Sequence, residues 1–159
     1  MEKYLRAIQK YIPKNVYSFF QPLYHYGLAV TGTALYRKPS RHIYVIGVTG
    51  TKGKSSTTEF VNAVLEKAGK KTAILSTIRF KIGNTTQPNK FKMTMPGRFF
   101  TQKFLRDAAD AGCEYAIIEM TSEGARFHRH VGVEMDALIF TNLSPEHIES
   151  HRSEERRVG

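Results

Sequence analysis

The stretch Gly47-Val-Thr-Gly50-Thr51-Lys52-Gly53-Lys54-Ser55-Ser56 constrains this chain more than any other. Before it stands Ile43-Tyr-Val-Ile-Gly-Val48, a short apolar run rich in β-branched residues, of the kind found in a buried parallel strand. After it, Phe60, Val61, Val64, Leu65 and Ala68 recur at helical spacing until Gly69, a C′ glycine. Strand, glycine turn and helix in that order form the context of a phosphate-binding loop. Glycines let backbone N–H groups turn toward phosphate oxygens, and the helix N-terminus adds the positive end of its dipole. Lys54 is then placed to reach the β and γ phosphates, and the Ser55 hydroxyl to ligate Mg²⁺. The strict spacing G-x-x-x-x-G-K-[ST] wants a glycine where Val48 stands, so the loop matches only with its first glycine displaced to Gly47. An incidental glycine turn would not explain the flanking strand and helix, and the inference is binding of ATP.

The same alternation continues downstream. Residues 72–76 predict a second strand, 99–111 a helix, 115–119 a third strand and 136–140 a fourth. Segments 79–82 and 90–93, joined through Gly83-Asn84 and Pro88-Asn89, predict an exposed hairpin or long loop. Strand and helix in turn imply an α/β fold with a parallel sheet and ligands at the carboxyl ends of the strands. At 159 residues the chain has room for one ordinary domain or a part of something larger. Cys113 is the single cysteine, which excludes an internal disulfide framework, fits a reducing cytoplasmic setting, and reads as a small packing residue.

The net charge of +10 raises nucleic acid, an anionic membrane or phosphorylated ligands as partners. Its distribution separates them. Residues 1–42 carry Lys3, Arg6, Lys10, Lys14, Arg37, Lys38 and Arg41 against Glu2 alone, so most of the excess lies outside the α/β part. No nucleic-acid-binding motif accompanies it, so no nucleic-acid partner is expected. The segment is rich in tyrosine and has no apolar run of about 20 residues, the length a membrane span needs. Two readings stay open: a basic aromatic helix lying at a membrane surface, or helices packed on the following domain.

Further motifs follow the loop in a fixed order: Thr94-Met95-Pro96, Glu119-Met-Thr-Ser122, and Phe140-Thr-Asn142-Leu-Ser-Pro-Glu-His147. With the displaced loop register, they resemble the ATP-binding domain of the Mur ligase family over residues 43–151, and within it the tripeptide-synthetase branch. The resemblance implies a P-loop NTPase-like, mostly parallel sheet flanked by helices, behind a short helical basic N-terminal segment. It also implies ligation through an acyl phosphate. A substrate carboxylate attacks the γ-phosphate of ATP, and an incoming amine then displaces phosphate to form an amide.

Site roles follow residue by residue. Gly50, Thr51, Lys52, Gly53, Lys54, Ser55, Ser56 and Asn142 match the nucleotide site, with loop capping as the alternative for Asn142. Lys54, Glu119 and His147 match catalytic positions; Ser55, Glu119 and His147 would hold Mg²⁺. Glu119 closes a core strand at the face where the loop opens, which suits a hard oxygen ligand; a solvated strand-end acid is the alternative. Thr94, Ser122 and Arg129 match contacts to a muramoyl substrate, but Met95 replaces a second threonine and Glu123 a histidine of the branch. The tract Arg126-Phe-His-Arg-His130 faces an anionic substrate or is a plain solvated loop.

Residues 1–42 are shorter than the uridine-nucleotide-binding domain that opens this branch. The acceptor is therefore expected to be a UDP-muramoyl-peptide held differently or a lipid-linked cell-wall precursor, with the protein in the cytoplasm or at the inner face of the membrane. Residues 152–159 differ in composition, resemble a translated sequencing adapter and are read as a non-native tail. The bridging lysine and amino-acid domain of the family lie beyond this sequence, so the stretch is expected to bind ATP but be inactive alone. Competing readings are a ligase of the same superfamily with another acceptor, such as a folylpolyglutamate-like one, and a P-loop ATP-binding module without ligase activity.

Overall fold

The structure is a computed structural model that describes residues 14–91, 93–126 and 129–144. A long helix α1 (Lys14–Leu35) leads through a 3₁₀ turn (Pro39–His42) into β1 (Tyr44–Thr49) and α2 (Lys54–Lys67). Then come β2 (Thr72–Leu75), β3 (Arg79–Ile82), β4 (Thr85–Pro88), α3 (Arg98–Asp110), β5 (Tyr115–Glu119), the short α4 (Ser122–Arg126) and β6 (Ala137–Phe140). The strands form one six-stranded sheet in the order β4-β3-β2-β5-β1-β6. From β2 to β6 the pairings are parallel, whereas β3 and β4 add on antiparallel at the edge.

The period of two along each central strand sorts its side chains into two cores. Val45, Ala73, Leu75, Ala116 and Ile118 face Phe104, Leu105 and Ala108 of α3. Ile46, Val48, Ile74 and Ile117 face the other way, under Val61 and Leu65 of α2. A sheet covered on both faces needs strands apolar on both faces, which is why these runs read as continuous rather than alternating. Full burial of Ile74, Leu75 and Ile117 stabilises the fold by roughly 1.5–3 kcal/mol per side chain.

Two expectations need correction. On α2, Phe60 and Val64 are 76% and 63% exposed, and the inward stripe is instead Thr58, Val61, Asn62 and Leu65. Asn62 turns in because a polar network awaits it: Thr72 Oγ1 donates to Asn62 Oδ1 (2.6 Å), and Asn62 Nδ2 donates to Glu66 Oε2 (2.7 Å). Segment 79–82 is no exposed hairpin arm but part of the main sheet, with Phe80 in the core and Lys81 buried. Its partner strand is 85–88, not 90–93. The turn at Gly83-Asn84 was legible, but β4, Thr-Thr-Gln-Pro, is exposed throughout and carries no apolar signal.

Lys81 donates to Thr72 Oγ1 (2.9 Å), to Asn62 Oδ1 (3.2 Å) and to Glu66, while Arg79 forms a bidentate pair with Glu59 (2.8 and 2.6 Å). These bonds fasten β3 to the helix that follows the glycine loop.

At the other end, α1 packs on α3: Ala29 is fully buried, and Gly32 lies so close to the Phe99 ring that a Cβ there would stand 3.4 Å from it. Arg106 of α3 closes the C-terminus of α1, donating from Nε and Nη2 to Tyr36 O (both 3.1 Å) and from Nη2 to Arg37 O (3.2 Å). Arg37 and Lys38 are held left-handed in this cap (φ 56° and 48°). Packing of the inner face is therefore real, while Tyr26, Val30 and Leu35 are exposed on α1. No helix among the described residues is long and apolar enough to cross a membrane.

The Lys81 and Arg79 partnerships hold the Glu66 and Glu59 carboxyls below the ordinary glutamate range, in each case chiefly through the side-chain hydrogen bond. A depressed folded-state pKa contributes stability at neutral pH that is lost as pH falls through it. Glu66→Gln is expected to weaken the fold by about 1–2 kcal/mol at pH 7, since it leaves the buried Lys81 cation short of its counter-charge. The wild-type advantage should shrink in urea titrations repeated down to pH 3, and a constant difference would refute the role given to this pair.

Candidate nucleotide and substrate site

The loop between β1 and α2 begins at the carboxyl end of a central strand. Gly50 (φ 134°) and Gly53 (φ 79°) hold conformations that side chains with a Cβ rarely adopt. At Gly50 there is also no space: a Cβ would lie 2.1 Å from Thr141 Oγ1. The crowding comes from the segment after β6, which braces the loop. Thr51 N donates to Asn142 O (3.0 Å), Lys52 N to Asn142 Oδ1 (3.0 Å), and Asn142 Nδ2 returns a bond to Lys52 O (3.1 Å). Thr141 Oγ1 donates to the same Lys52 carbonyl (2.7 Å). Thr51 Oγ1 both accepts from Ser144 N (3.0 Å) and donates to Ser144 O (3.3 Å).

Asn142 thus acts here as a cap on the loop backbone. Lys54 Nζ folds back over the loop, donating to Gly50 O (2.7 Å) and Thr51 O (2.9 Å). Ser55 is half-buried in the first turn of α2, Ser56 is exposed, and so is the Lys52 side chain.

Gly47 and Val48 explain the displaced register. Val48 is fully buried in the core under α2, so the position the strict motif reserves for glycine is a packing position here. Gly47 is needed for a different reason: its Cβ would meet Met135 Sδ at 2.8 Å and Leu138 Cδ1 at 2.9 Å.

Glu119 lies one strand over, level with Val48 in the β1–β5 register. It is wholly buried. Its Oε2 accepts from Thr77 Oγ1 at 2.7 Å, and its Oε1 has no hydrogen-bond partner among the described residues. A buried carboxylate oxygen left unpaired costs on the order of 1–3 kcal/mol or more, so a cation at that oxygen fits the donor set. The half-buried Ser55 hydroxyl offers a second hard oxygen. His147 lies outside the described residues.

Thr94 Oγ1 stands 2.9 Å from Thr77 Oγ1, which ties the Thr94-Met95-Pro96 segment to Glu119. Met95 is buried and packs against Gly124, where a Cβ would sit 2.5 Å from its sulfur; it belongs to the core rather than to an open site. Arg129 Nη1 donates to Met95 O (2.6 Å), and Arg129 N to Gly124 O (2.9 Å), which gathers Ser122 at the start of α4, Arg129 and Thr94 around one loop. Arg98, at the start of α3, has its guanidinium pKa lowered first by burial and then by Arg129. Glu123 is exposed, and so is Arg126. Those of the residues singled out in the sequence that the structure describes therefore gather at the carboxyl edge of the parallel strands in two groups, the braced loop and the Glu119–Thr94–Arg129 cluster. Thr77 was missed, although it follows β2 at that same edge, where an α/β sheet binds its ligands.

A model of the Mur ligase middle domain matches residues 48–157. The chain is 40% identical to the UDP-N-acetylmuramyl-tripeptide synthetase of Roseiflexus sp. (strain RS-1) over 131 residues, 81% of this chain and 26% of the relative. It is 38% identical over 126 residues to the UDP-N-acetylmuramoyl-L-alanyl-D-glutamate--2,6-diaminopimelate ligase of Clostridium botulinum (strain ATCC 19397 / Type A), covering 79% of this chain and 26% of that one. A solved structure of a UDP-N-acetylmuramoyl-L-alanyl-D-glutamate--2,6-diaminopimelate ligase superposes with a TM-score of 0.62 at 25% identity, over 72% of this chain and 23% of its own. The chain spans about a quarter of the length of these curated relatives.

The two loop glycines are expected to respond differently to alanine. Gly50→Ala combines a disallowed φ with a steric clash and should cost roughly 3–5 kcal/mol. Gly53→Ala has open space around it and should cost only about 1–2 kcal/mol for its left-handed backbone. Urea unfolding of both variants tests this, and equal losses would mean that the bracing segment does not confine the loop.

Proposed function

The chain belongs to the Mur ligase family through its middle domain, and from that premise we propose that it is the ATP-binding part of an amide ligase of peptidoglycan precursor synthesis. Its acceptor is a UDP-N-acetylmuramoyl-peptide-like molecule, or a lipid-linked equivalent, to which an amino acid is added. The acceptor carboxylate attacks the γ-phosphorus, ADP leaves, and an acyl phosphate forms. The incoming amine then attacks the acyl carbon, phosphate departs, and the amine nitrogen gives up a proton as the amide is made.

Such a reaction asks the protein for position and charge compensation rather than for a covalent nucleophile. The loop backbone beyond Lys52, together with Lys54, binds and orients the phosphates, while the Thr51 and Lys52 N–H groups are taken up by Asn142, which with Thr141 keeps the loop in shape. Mg²⁺, when bound, neutralises charge on the phosphoryl oxygens; Ser55, Glu119 and His147 are the residues proposed to hold it. Thr94, Ser122 and Arg129 take the acceptor. The stretch spans about a quarter of its relatives' length, and the part of the reaction proposed for it is the binding of ATP. The observation that supports the reading most is the buried Glu119 oxygen with no partner among the described residues, at a strand end beside a braced glycine loop.

The basic N-terminal segment, residues 1–42, contacts an anionic membrane surface through the exposed side chains of α1, whose other face stays packed on α3, placing the protein at the cytoplasmic face. Two observations support this contact. No Asp or Glu occurs between Glu2 and Glu59, and α1 exposes Tyr26, Val30 and Leu35 next to Arg37 and Lys38, an arrangement suited to a headgroup layer.

Lys54→Ala is expected to abolish ATP binding in calorimetry while leaving the thermal unfolding midpoint within a few degrees; undiminished binding would remove the nucleotide assignment. For the N-terminal segment, the chain should co-sediment with phosphatidylglycerol vesicles and much less with phosphatidylcholine. The pair Val30→Gln and Leu35→Gln should lower that binding severalfold. Equal sedimentation with both lipids, or none, would exclude the membrane contact.

A further inference from the structure

The Glu119 carboxylate is steered by a residue outside every motif named so far. Thr77 lies in the turn after β2, and that turn is fixed from both sides. Ser76 Oγ accepts from the backbone N–H of Ile78 (3.1 Å) and Arg79 (3.0 Å). Asn89 Nδ2 donates to Ser76 O (2.8 Å) and to Met93 O (2.9 Å), which joins the turn to the segment leading into Thr94. In that frame Thr77 Oγ1 is 2.7 Å from Glu119 Oε2 and 2.9 Å from Thr94 Oγ1.

A hydroxyl has one proton, and an ionised carboxylate only accepts. The Thr77 proton therefore goes to Glu119, and Thr94 donates to Thr77. The arrangement leaves Oε2 occupied and Oε1 without a partner among the described residues, so the carboxylate offers one defined oxygen instead of two. It also commits the Thr94 proton inward, leaving Thr94 only lone pairs for a ligand, which selects an N–H or O–H donor on the acceptor molecule.

The geometry points to Thr77 as a positioning residue that orients Glu119 toward the cation and couples it to the acceptor-binding Thr94. This rests on the reading of Glu119 as a Mg²⁺ ligand given above. Partners that orient a metal ligand commonly alter metal affinity by about 10–100-fold when removed. Thr77 is itself exposed, so its replacement leaves the core intact.

The test is calorimetric titration of ATP into this chain across a series of Mg²⁺ concentrations, for wild type, Thr77→Val, Thr77→Ser and Glu119→Gln, with thermal melts as a folding control. Thr77→Val is expected to raise the Mg²⁺ concentration at half-effect by about tenfold while metal-free ATP binding stays as in the wild type. Thr77→Ser, which keeps the hydroxyl, should return it to within about twofold of wild type. If Thr77→Val does not melt cooperatively, Thr77→Ala replaces it with the same expectation. An unchanged Mg²⁺ dependence in the hydroxyl-free variant, with Glu119→Gln strongly affected, overturns the role of Thr77 and leaves the metal site standing. An unchanged dependence in Glu119→Gln overturns the metal reading itself, and the inference with it.

Discussion

The clasp between the glycine loop and the segment after β6 is the constraint on which the site depends. A loop that must turn its N–H groups toward a ligand cannot spend them on a ladder of its own, so its shape has to be imposed from outside. Here Thr141, Asn142 and Ser144 impose it, by binding the backbone at Thr51 and Lys52 and the Thr51 hydroxyl. The clasp works only because β6 pairs with β1 in parallel, which brings its carboxyl end level with that of β1. Topology thus comes first and loop shape follows from it. The same geometry makes Gly50 irreplaceable, because the brace lies where a side chain would go.

A second dependence runs across the sheet. Burial of both faces leaves the strand ends as the place where polar chemistry can emerge, and Glu119 emerges there while still shielded from solvent. Shielding strengthens its attraction for a cation and also makes an unpaired oxygen costly. On the far side of α2, the charges of Glu59, Glu66, Arg79 and Lys81 are matched with one another. The contrast between that satisfied network and the half-satisfied Glu119 is the physical ground for proposing a ligand role for Glu119 and a structural one for the other four.

Much of this was legible in the sequence because the central strands are apolar on both faces and each precedes a turn or helix signal. Strand 115–119 matches β5 without adjustment. What escaped was polar. Phe60 and Val64 have the spacing of a buried stripe, yet Asn62 takes the inward position because Thr72 and Lys81 offer it hydrogen bonds across the sequence. β4 has no apolar residue, and its place follows from pairing with β3 alone. Thr77 stands in no recognisable motif; only the fold brings it to Glu119. Single-sequence patterns record burial well and long-range polar pairing poorly, because periodicity carries no information about a partner distant in the chain.

The displaced glycine shows how such a motif divides its labour. A phosphate loop needs freedom of backbone at the turn and close packing at the strand that delivers it, and one residue need not supply both. In this chain Gly50 and Gly53 supply the positive φ values. Val48, at the position where the strict spacing expects glycine, is part of the core and faces α2. Gly47 answers a demand from the opposite face of β1, where Met120, Met135 and Leu138 close in on the strand. A glycine moved by one residue in a strand changes faces, so the shift from 48 to 47 exchanges a contact under α2 for one beneath these side chains. The part of the loop from Gly50 onward keeps its spacing to Lys54 and Ser55, and the proposed phosphate binding rests on that spacing.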